Sequence, residues 1–293
     1  MTPPANTRST VCLHHNDADG RACGAIVRRA FNGDVSLFEM DYGDPIPWEA
    51  VQGSEKVIVA DFSLSAEDML RLAQDRQLIW IDHHKTSLNE LHDIAQNWPG
   101  QRDVGEAACV LTWRYFFPDL PVPRAVVLIG DRDIWRWAEP ETGAFGEGLF
   151  NQDTDPANDQ LWRPLLDDET KAVEELVSKG GMLRDARLKS IERKIASYGH
   201  PVLFEGHRTL VVNDRGSGEM GAHIQEAGYE IGYCYLDNIQ DGQLVTFVTL
   251  YSKHVDVSEI AKRFGGGGHP GAAGFSFPRR ETPFPLSADV QPE

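Results

Sequence analysis

Cysteines, basic residues and long apolar runs are all scarce in this sequence of 293 residues. The four cysteines are scattered, without the paired spacing of a zinc site or the density of a disulfide framework, so we expect small buried side chains in a reducing compartment. No stretch approaches the roughly 20 apolar residues that a membrane-spanning helix needs. The N-terminal segment lacks the apolar core of a signal peptide, which predicts a cytoplasmic protein with no membrane partner.

The shortage of basic residues limits what the protein can bind. There are 28 Lys and Arg residues against 45 Asp and Glu residues, and the net charge is −17. Tight binding along a long nucleic acid needs many contacts between basic side chains and phosphates, so this charge argues against it. A short anionic substrate remains compatible, because bound divalent cations can reverse the field inside an acidic pocket.

Apolar runs that alternate with helical segments dominate the first part of the sequence. We predict strands at 11–14, 35–40, 56–60 and 78–81, with helices at 22–31 and from Ser63 or Ser65 to about residue 75. Continuous apolar strands separated by helices predict a parallel sheet covered on both faces. Further helices are predicted at 105–117, 123–130 and 169–197, the last with a potential break at Gly180-Gly181. The region 141–159 is predicted to be irregular.

The sequence changes character after about residue 199. Short strands at 201–204, 209–213, 231–237 and 245–251, with helices at 221–227 and 257–264, predict a smaller α+β lobe. Residues from Arg279 onward are expected to fray. We therefore predict an α/β protein with a first domain at 1–165, a helical linker at 166–198 and a second domain at 199–293.

Acidic residues and histidines close four of the apolar runs. The four segments are His14-His15-Asn16-Asp17-Ala18-Asp19-Gly20, Asp61, Asp82-His83-His84 and Asp131-Arg132-Asp133. Taken singly, each has a plain explanation, such as a polar turn, a helix N-cap at Asp61 or a surface ion-pair cluster. Together they indicate one site, because open α/β sheets place their chemistry at the carboxyl ends of strands.

The residue types in these segments predict a metal site. Carboxylates with imidazoles and without cysteine suit Mn²⁺, Fe²⁺ or Zn²⁺, and the excess of carboxylate favours Mn²⁺ or Mg²⁺. The ligands are too many for one ion and fit two ions about 3.5–4 Å apart, an arrangement used in phosphoryl displacement. Asp61 is our choice for a carboxylate that both ions share.

The ordered motifs resemble those of the DHH phosphoesterase superfamily. The segment 264–275, Phe-Gly-Gly-Gly-Gly-His-Pro-Gly-Ala-Ala-Gly-Phe, resembles the glycine-rich signature of the DHH-associated C-terminal domain. This pairing is typical of RecJ-type exonucleases, of nanoRNA phosphodiesterases and of cyclic-dinucleotide phosphodiesterases. The resemblance implies a DHH catalytic domain, a substrate-binding domain and an active site in the cleft between them.

The resemblance also implies roles for individual residues. The implied metal ligands are His15, Asp17, Asp19, Asp61, His83 and Asp131. The implied catalytic residues are His84, which would lie beside the scissile phosphate, and Asp82, which would orient a histidine. The implied substrate-binding residues are Gly266, Gly267, Gly268, His269 and Lys253, because consecutive glycines let backbone N–H groups approach a phosphate.

Four positions leave alternatives open. His14 competes with His15, since many relatives place this histidine at the position of Leu13 here, and Asp133 competes with Asp131. Tyr251 stands where relatives that degrade short RNA carry an arginine, so either a base stacks on Tyr251 or the phosphate anchor comes from elsewhere. Trp135 and Trp137 are predicted to be core residues, with a base-stacking platform as the alternative.

The implied activity is a metal-dependent phosphodiesterase acting on short oligonucleotides by a two-metal mechanism with Mn²⁺, or Mg²⁺, as cofactor. One alternative is a hydrolase of cyclic dinucleotides or other small phosphoesters. Another is a nucleotide-binding member that lost catalysis, although such a protein would be expected to lack several of these acids. The choice between RNA and DNA, the direction of attack and the choice between monomer and homodimer stay open.

Overall fold

The computed structural model describes residues 10–240 and 243–279. It divides into two compact units between Arg184 and Asp185. This division falls inside the segment 166–198 that was predicted as a linker, and the predicted domain boundaries stay a prediction.

The first unit is built on a four-stranded parallel sheet. Its strands lie in the order β2-β1-β3-β4, and every neighbouring pair is parallel. In chain order its elements are β1 (Thr10–His15), α1 (Ala18–Ala30), β2 (Ser36–Met40), α2 (Trp48–Gln52), β3 (Lys56–Ala60), α3 (Ala66–Gln74), β4 (Gln77–Ile81), α4 (Lys85–Glu90), α5 (Ala108–Phe116), α6 (Arg124–Asp133), α7 (Thr142–Phe150), α8 (Asp159–Leu166) and the first part of α9 (Thr170–Tyr198).

The sheet of the first unit is buried on both faces. Cys12 and Ile58 belong to a core that also contains residues of α1, α5 and α6. Leu13, Val59 and Trp80 belong to a second core that contains residues of α3. Because side chains alternate between the faces of a strand, two cores require apolar residues at consecutive positions, and this explains the unbroken apolar runs.

The strand register brings the ends of three strands to one edge. Ala60 at the end of β3 pairs with His14 on one side and with Ile81 on the other. Asp61 and Asp82 directly follow these residues, so they leave the sheet at the same carboxyl edge.

Two predictions about glycine-containing segments are wrong. The region 141–159 contains α7 and the start of α8, and α9 runs unbroken through Gly180-Gly181. A Cβ on Gly180 would collide with the carbonyl oxygen of Ala144, and one on Gly148 would collide with that of Leu176. These glycines therefore allow α7 and α9 to pack closely, which the sequence alone does not distinguish from a loop.

The second unit is a six-stranded mixed sheet with helices. Its strands lie in the order β5-β6-β7-β8-β10-β9, and among the described strands only β6 and β7 pair in parallel. After the end of α9, its elements are β5 (His200–Phe204), β6 (His207–Asn213), α10 (Gly218–Glu226), β7 (Ile231–Gln240), β8 (Gln243–Tyr251), α11 (Val257–Arg263), β9 (Gly267–His269) and β10 (Ala272–Pro278).

Several broad predictions are confirmed. The chain has the predicted α/β class, with a parallel sheet in the first unit and a smaller α+β arrangement in the second. All four cysteines are buried and unpaired. Within residues 10–240 and 243–279, no helix combines the length and apolar character that crossing a membrane requires. The fraying expected after Arg279 concerns residues outside the described ranges.

Candidate metal centre

The turn after β1 places His15 and Asp17 side by side. Asp17 caps α1, where its Oδ1 accepts a hydrogen bond from the Gly20 N–H at 2.9 Å, and its Oδ2 lies 3.0 Å from His15 Nδ1. A Cβ on Gly20 would collide with the carbonyl oxygen of His15, so this tight turn requires glycine. Burial raises the pKa of Asp17, but the bonds from His15 and Gly20 outweigh it and hold the pKa well below its usual range.

Asp61 is the most unusual carboxylate of the site. It is 1% exposed and has φ +66°, a left-handed conformation that Asp tolerates better than most residues. Neither of its buried oxygens accepts a hydrogen bond. His83 Nε2 lies 3.2 Å from Oδ1 and His15 Nδ1 lies 3.7 Å from Oδ2. Asp61 is not a helix cap, because the Ser65 hydroxyl caps α3.

Burial raises the pKa of Asp61 well above its usual value, and the negative charges of Asp19, Asp17 and Asp133 raise it further. A buried carboxylate without hydrogen bonds carries a large desolvation cost unless a cation compensates it. The two unpartnered oxygens of Asp61 therefore fit a bound metal ion.

A second group of acids surrounds His83. Asp19 Oδ2 lies 3.8 Å and Asp133 Oδ2 lies 3.4 Å from His83 Nε2. Asp19 is also fixed by the first turn of α5, where the N–H groups of Ala108 and Cys109 donate to its two oxygens at 2.8 Å. Burial, followed by the charges of Asp19 and Asp17, raises the pKa of Asp133 to about 7. Burial lowers the pKa of His83, which favours the neutral form that ligates metals.

These side chains form three overlapping sets with ligand atoms close enough for a metal. In each set the ligand atoms lie within 4.8 Å of one another; the sets are His15 with Asp17 and Asp61, Asp61 with His83 and His84, and Asp19 with His83 and Asp133. Asp61 belongs to two sets, as does His83. Oxygen and nitrogen donors of this kind suit hard divalent cations.

The structure brings Asp133, and not Asp131, to this group. The Asp131 carboxylate accepts hydrogen bonds from the N–H groups of Ala138 and Glu139, at 2.9 and 3.2 Å, and from the Thr142 hydroxyl. Both aspartates lie in α6, which continues to Asp133 although the sequence prediction ended it at residue 130. Residues two apart on a helix point about 200° apart, so only one can face the site.

The structure likewise separates His14 from His15. His14 is 1% exposed, its Nδ1 lies 2.9 Å from the carbonyl oxygen of His15, and its ring lies beside Gly24. Burial is the main reason that its pKa is lowered. His15 is the histidine that reaches the carboxylates.

Asp82 lies behind His84. Its Oδ1 accepts hydrogen bonds from the N–H groups of His83 and His84, at 2.7 and 3.1 Å, and lies 2.8 Å from His84 Nδ1. This hydrogen bond is the main reason that the pKa of His84 is raised. The His84 side chain is 37% exposed, so its Nε2 is the ring nitrogen that a substrate or an ion can reach.

Asp41 and Tyr42 are two neighbours of the site that the sequence reading missed. Asp41 Oδ1 lies 3.8 Å from His15 Nε2, and the Tyr42 ring centroid lies 5.9 Å from that of His15. Asp41 directly follows Met40, the last residue of β2. β2 contains Ser36 and Glu39, so a search for acids after unbroken apolar runs passes over Asp41. An acid directly after any predicted strand is the signal that would have found it.

The glycine-rich segment of the second unit is a strand rather than an irregular loop. Gly267–His269 forms β9 and pairs with β10. A Cβ on Gly266 would collide with the carbonyl oxygen of Gly274, whereas one on Gly267 would meet no atom within 4 Å. Gly268 has φ +143°, a region that favours glycine.

The other predicted substrate-binding residues are exposed in the second unit. Both His269 and Lys253 are open to solvent, and the Lys253 backbone N–H donates to Gln225 at 2.9 Å. Tyr251 is half-buried, and a Cβ on Gly221 would collide with its side chain. Tyr251 is thus packed against α10.

The fold of the chain is that of DHH-domain proteins. Among solved structures the fold is similar to a pGpG-specific phosphodiesterase from Vibrio cholerae, with a TM-score of 0.51, 14% identity and coverage of 92% of this chain and 93% of that one. It is also similar to the DHH domain of a member of a family of ribosomal proteins, with a TM-score of 0.50, 13% identity and coverage of 92% and 82%. The chain therefore has the DHH-domain fold that the motifs predicted.

Two curated proteins are similar in sequence. Uncharacterized protein R106 of Acanthamoeba polyphaga mimivirus is 27% identical over 254 residues, which cover 83% of this chain and 57% of that protein. Oligoribonuclease NrnB of Bacillus subtilis is 23% identical over 290 residues, covering 89% and 71%. The chain thus spans little more than half of the first relative. No family model matches the sequence.

Proposed function

We propose that this protein is a metal-dependent phosphodiesterase that hydrolyses short oligonucleotides. The observation that carries the proposal is Asp61, whose two buried oxygens have no hydrogen-bond partner and lie between His15 and His83. The similarity in sequence to a Bacillus oligoribonuclease supports the substrate class.

The proposed ligands fall on two sides of Asp61. One ion would be held by His15, Asp17 and Asp61 and the other by residues around His83, with Asp133 in place of Asp131. The donor set favours Mn²⁺, with Mg²⁺ as the alternative. When bound, such ions polarise the phosphoryl group and neutralise the charge that develops during its displacement.

His84 is the proposed proton donor. Asp82 holds its Nδ1 and stabilises the protonated ring, so that Nε2 carries a proton where the side chain is exposed. From this position His84 would donate a hydrogen bond to a phosphate oxygen or protonate the leaving oxygen. Asp82 is itself buried and acts through His84.

The second unit is proposed to bind another part of the substrate. Gly267 leaves its backbone open to approach, and His269, two residues later, is exposed. Lys253 is also exposed and follows Ser252, whose N–H donates to the Gly271 carbonyl oxygen at 3.1 Å. These groups can bind one phosphate or one terminal nucleotide. The net charge of −17 argues against long chains, because their binding needs many basic contacts.

A length-resolved assay tests the proposal. Purified protein with Mn²⁺ is given oligonucleotides from dinucleotides to chains of about twenty nucleotides, together with a cyclic dinucleotide. We expect the shortest linear chains to be hydrolysed fastest and activity to disappear when EDTA removes the metal. Equal turnover of long and short chains would contradict the substrate class, and full activity in EDTA would contradict the mechanism.

A further inference from the structure

Two tryptophans that follow Asp133 in the sequence are exposed. Trp135 is 78% and Trp137 is 46% exposed, and their rings form an edge-to-face pair with centroids 5.7 Å apart. The prediction that they are core residues is therefore wrong. Trp80, Trp113 and Trp162, by contrast, are at most 2% exposed. Exposing two large aromatic rings together forgoes the burial that normally stabilises such residues.

The loop that carries this pair is held in a disfavoured conformation. Trp135 has φ +55° and Trp137 has φ +50°, values that bulky side chains rarely adopt. Such backbone persists only where its surroundings determine it. The Trp135 N–H donates to the Arg132 carbonyl oxygen at 3.1 Å, and the N–H groups of the next four residues all donate to Asp131.

Asp131 binds the loop through both its backbone and its side chain. Its carbonyl oxygen accepts hydrogen bonds from the N–H groups of Arg136 and Trp137, at 3.0 and 3.4 Å. Its carboxylate accepts from the N–H groups of Ala138 and Glu139 and from the buried Thr142 hydroxyl. Asp131 thus holds the segment from Arg136 to Glu139, which includes Trp137 and follows Trp135 directly, and this accounts for its absence from the metal cluster.

The pair also lies close to the proposed site of phosphate chemistry. Trp135 follows Asp133 by two residues, so their Cα atoms are at most about 7 Å apart. Asp133 Oδ2 in turn lies 3.4 Å from His83 Nε2. A nucleotide whose phosphate occupies the metal site would therefore have a base within reach of exposed indole rings, and stacking on aromatic side chains suits every base.

We propose that Trp135 and Trp137 form a stacking platform for a nucleobase next to the scissile phosphate, and that Asp131 is the positioning residue that holds it. The inference rests on the proposed function and extends it, because it makes the enzyme select nucleotides over phosphodiesters that carry no base. It also supplies an aromatic contact in the same unit as the metal site.

Kinetics with matched substrates test the platform. We expect Trp135→Ala and Trp137→Ala to raise KM for a dinucleotide about 10- to 100-fold, the range that loss of one base stack produces, with little change in kcat. For a dinucleotide in which the base next to the scissile phosphate is replaced by hydrogen, the same variants should have the KM of the wild type. Trp135→Phe should restore most of the loss, because phenylalanine also stacks. Tyr198→Ala removes an aromatic ring of similar exposure, 64%, and serves as the control.

The conservative substitution Thr142→Val tests the positioning role of Asp131. This change removes one donor to the carboxylate and keeps the shape of a buried side chain. It should raise KM for the dinucleotide and leave the abasic substrate unaffected, and Asp131→Asn should do so more strongly. The number of Mn²⁺ ions bound per chain should not change in either variant. An equal loss for both substrates, or loss of an ion, would overturn the role assigned to Asp131.

Binding measured without turnover separates this inference from the proposed function. We expect AMP in the presence of Mn²⁺ to quench tryptophan fluorescence, less so in Trp135→Phe, whereas ribose 5-phosphate should not quench it. If the wild type hydrolyses both dinucleotides but the tryptophan variants behave like the wild type, the platform is wrong and the phosphodiesterase stands. If the wild type hydrolyses neither, the proposed function fails, and AMP quenching alone then decides whether the platform exists.

Discussion

Two carboxylates, Asp61 in the first unit and Asp214 in the second, experience opposite environments. In the first unit Asp61 has two buried oxygens without a hydrogen-bond partner, and burial raises its pKa. In the second unit Asp214 lies 2.7 Å from Lys194 Nζ and accepts a hydrogen bond from the Gly216 N–H, and its pKa is lowered despite burial. The first carboxylate opposes folding of the metal-free chain, whereas the second supports it.

The contacts of the glycine-rich segment stabilise the folded chain, as those of Asp214 do and those of Asp61 do not. Gly266 and Gly268 are required by the pairing of β9 with β10, so the fold alone accounts for them. A motif residue whose contacts destabilise the folded chain points to a ligand. A motif residue whose contacts stabilise the chain does not discriminate between structure and function. On this criterion the candidate metal centre is better supported than the candidate substrate contacts of the second unit.

The largest expected effect is that of Asp61→Asn, which should lower activity and at the same time stabilise the metal-free fold. Asp61→Asn retains a residue that tolerates φ +66° and removes the charge. We expect kcat to fall by about 10³-fold or more, since removing one preorganised stabilising group already costs about 10²–10³ in kcat. We also expect fewer Mn²⁺ ions per chain and a higher Tm in EDTA.

Asp119→Asn, at an exposed surface position, is the matched control for the loss of a carboxylate charge. If Asp61→Asn kept wild-type metal content and activity, the shared-ligand assignment would be wrong. If Asp61→Asn lowered Tm in EDTA, the buried charge of Asp61 would not destabilise the metal-free fold, contrary to what its geometry implies.

Alanine substitutions compare three glycines of the second unit. Gly266→Ala forces a Cβ onto backbone, and we expect it to lower the free energy of unfolding by about 3 kcal/mol. Gly268→Ala has a similar expected cost, because alanine is strained at φ +143°. Gly267→Ala meets open space and should change stability by less than about 0.5 kcal/mol. Urea denaturation measures all three.

Activity of Gly267→Ala then tests the substrate contact proposed for this strand. A raised KM with unchanged stability would assign the open glycine to substrate binding. Wild-type kinetics would leave the segment with a structural role only.

The strands of the first unit and the approximate location of the site were accessible from sequence for physical reasons, whereas β9 and β10 of the second unit were not predicted. A sheet buried on both faces needs unbroken apolar runs, and the carboxyl ends of parallel strands meet at one edge. The residues His15, Asp17, Asp19, Asp61 and His83 are accordingly brought together. Their individual roles as ligands stay proposals.

Details that depend on helix ends and tertiary contacts were not accessible. Asp131 and Asp133 could be told apart only by knowing that α6 continues to Asp133. Trp135 is predicted to be a core residue because tryptophan is usually buried, and only the tertiary structure shows that the turn after α6 exposes it. The glycines of α7 and α9 resemble loop glycines until the two helices are seen to pack.

The metal-free protein should become less stable as the pH rises. The folded-state pKa of Asp133 is about 7, above its ordinary value of 3.8, so below about pH 4 the carboxyl is protonated in both states and has no effect. Between about pH 4 and 7 the unfolded chain ionises first, and the free energy of unfolding falls by about 4 kcal/mol, since each pKa unit corresponds to about 1.4 kcal/mol.

Urea denaturation in EDTA at about pH 5 and pH 7.5 measures this slope. Asp133→Asn should flatten it relative to the wild type, and saturating Mn²⁺ should remove it by stabilising the ionised form. A slope that Asp133→Asn leaves unchanged would show that another group is responsible.

Asp214 provides the smallest effect, with the opposite sign. Burial raises the pKa of Asp214, but the hydrogen bonds from Lys194 and the Gly216 N–H lower it by more, so the net pKa is lowered. Its contribution to the free energy of unfolding is therefore present above the unfolded pKa and is lost as the pH falls through the folded pKa. Because Lys194 is 44% exposed, we expect Asp214→Asn to cost less than about 1 kcal/mol at pH 7 and progressively less as the pH falls below the unfolded pKa. A double-mutant cycle with Lys194→Met isolates the pair. A cost that grew as the pH fell would place Asp214 with Asp133, and the contrast between the two units would then be wrong.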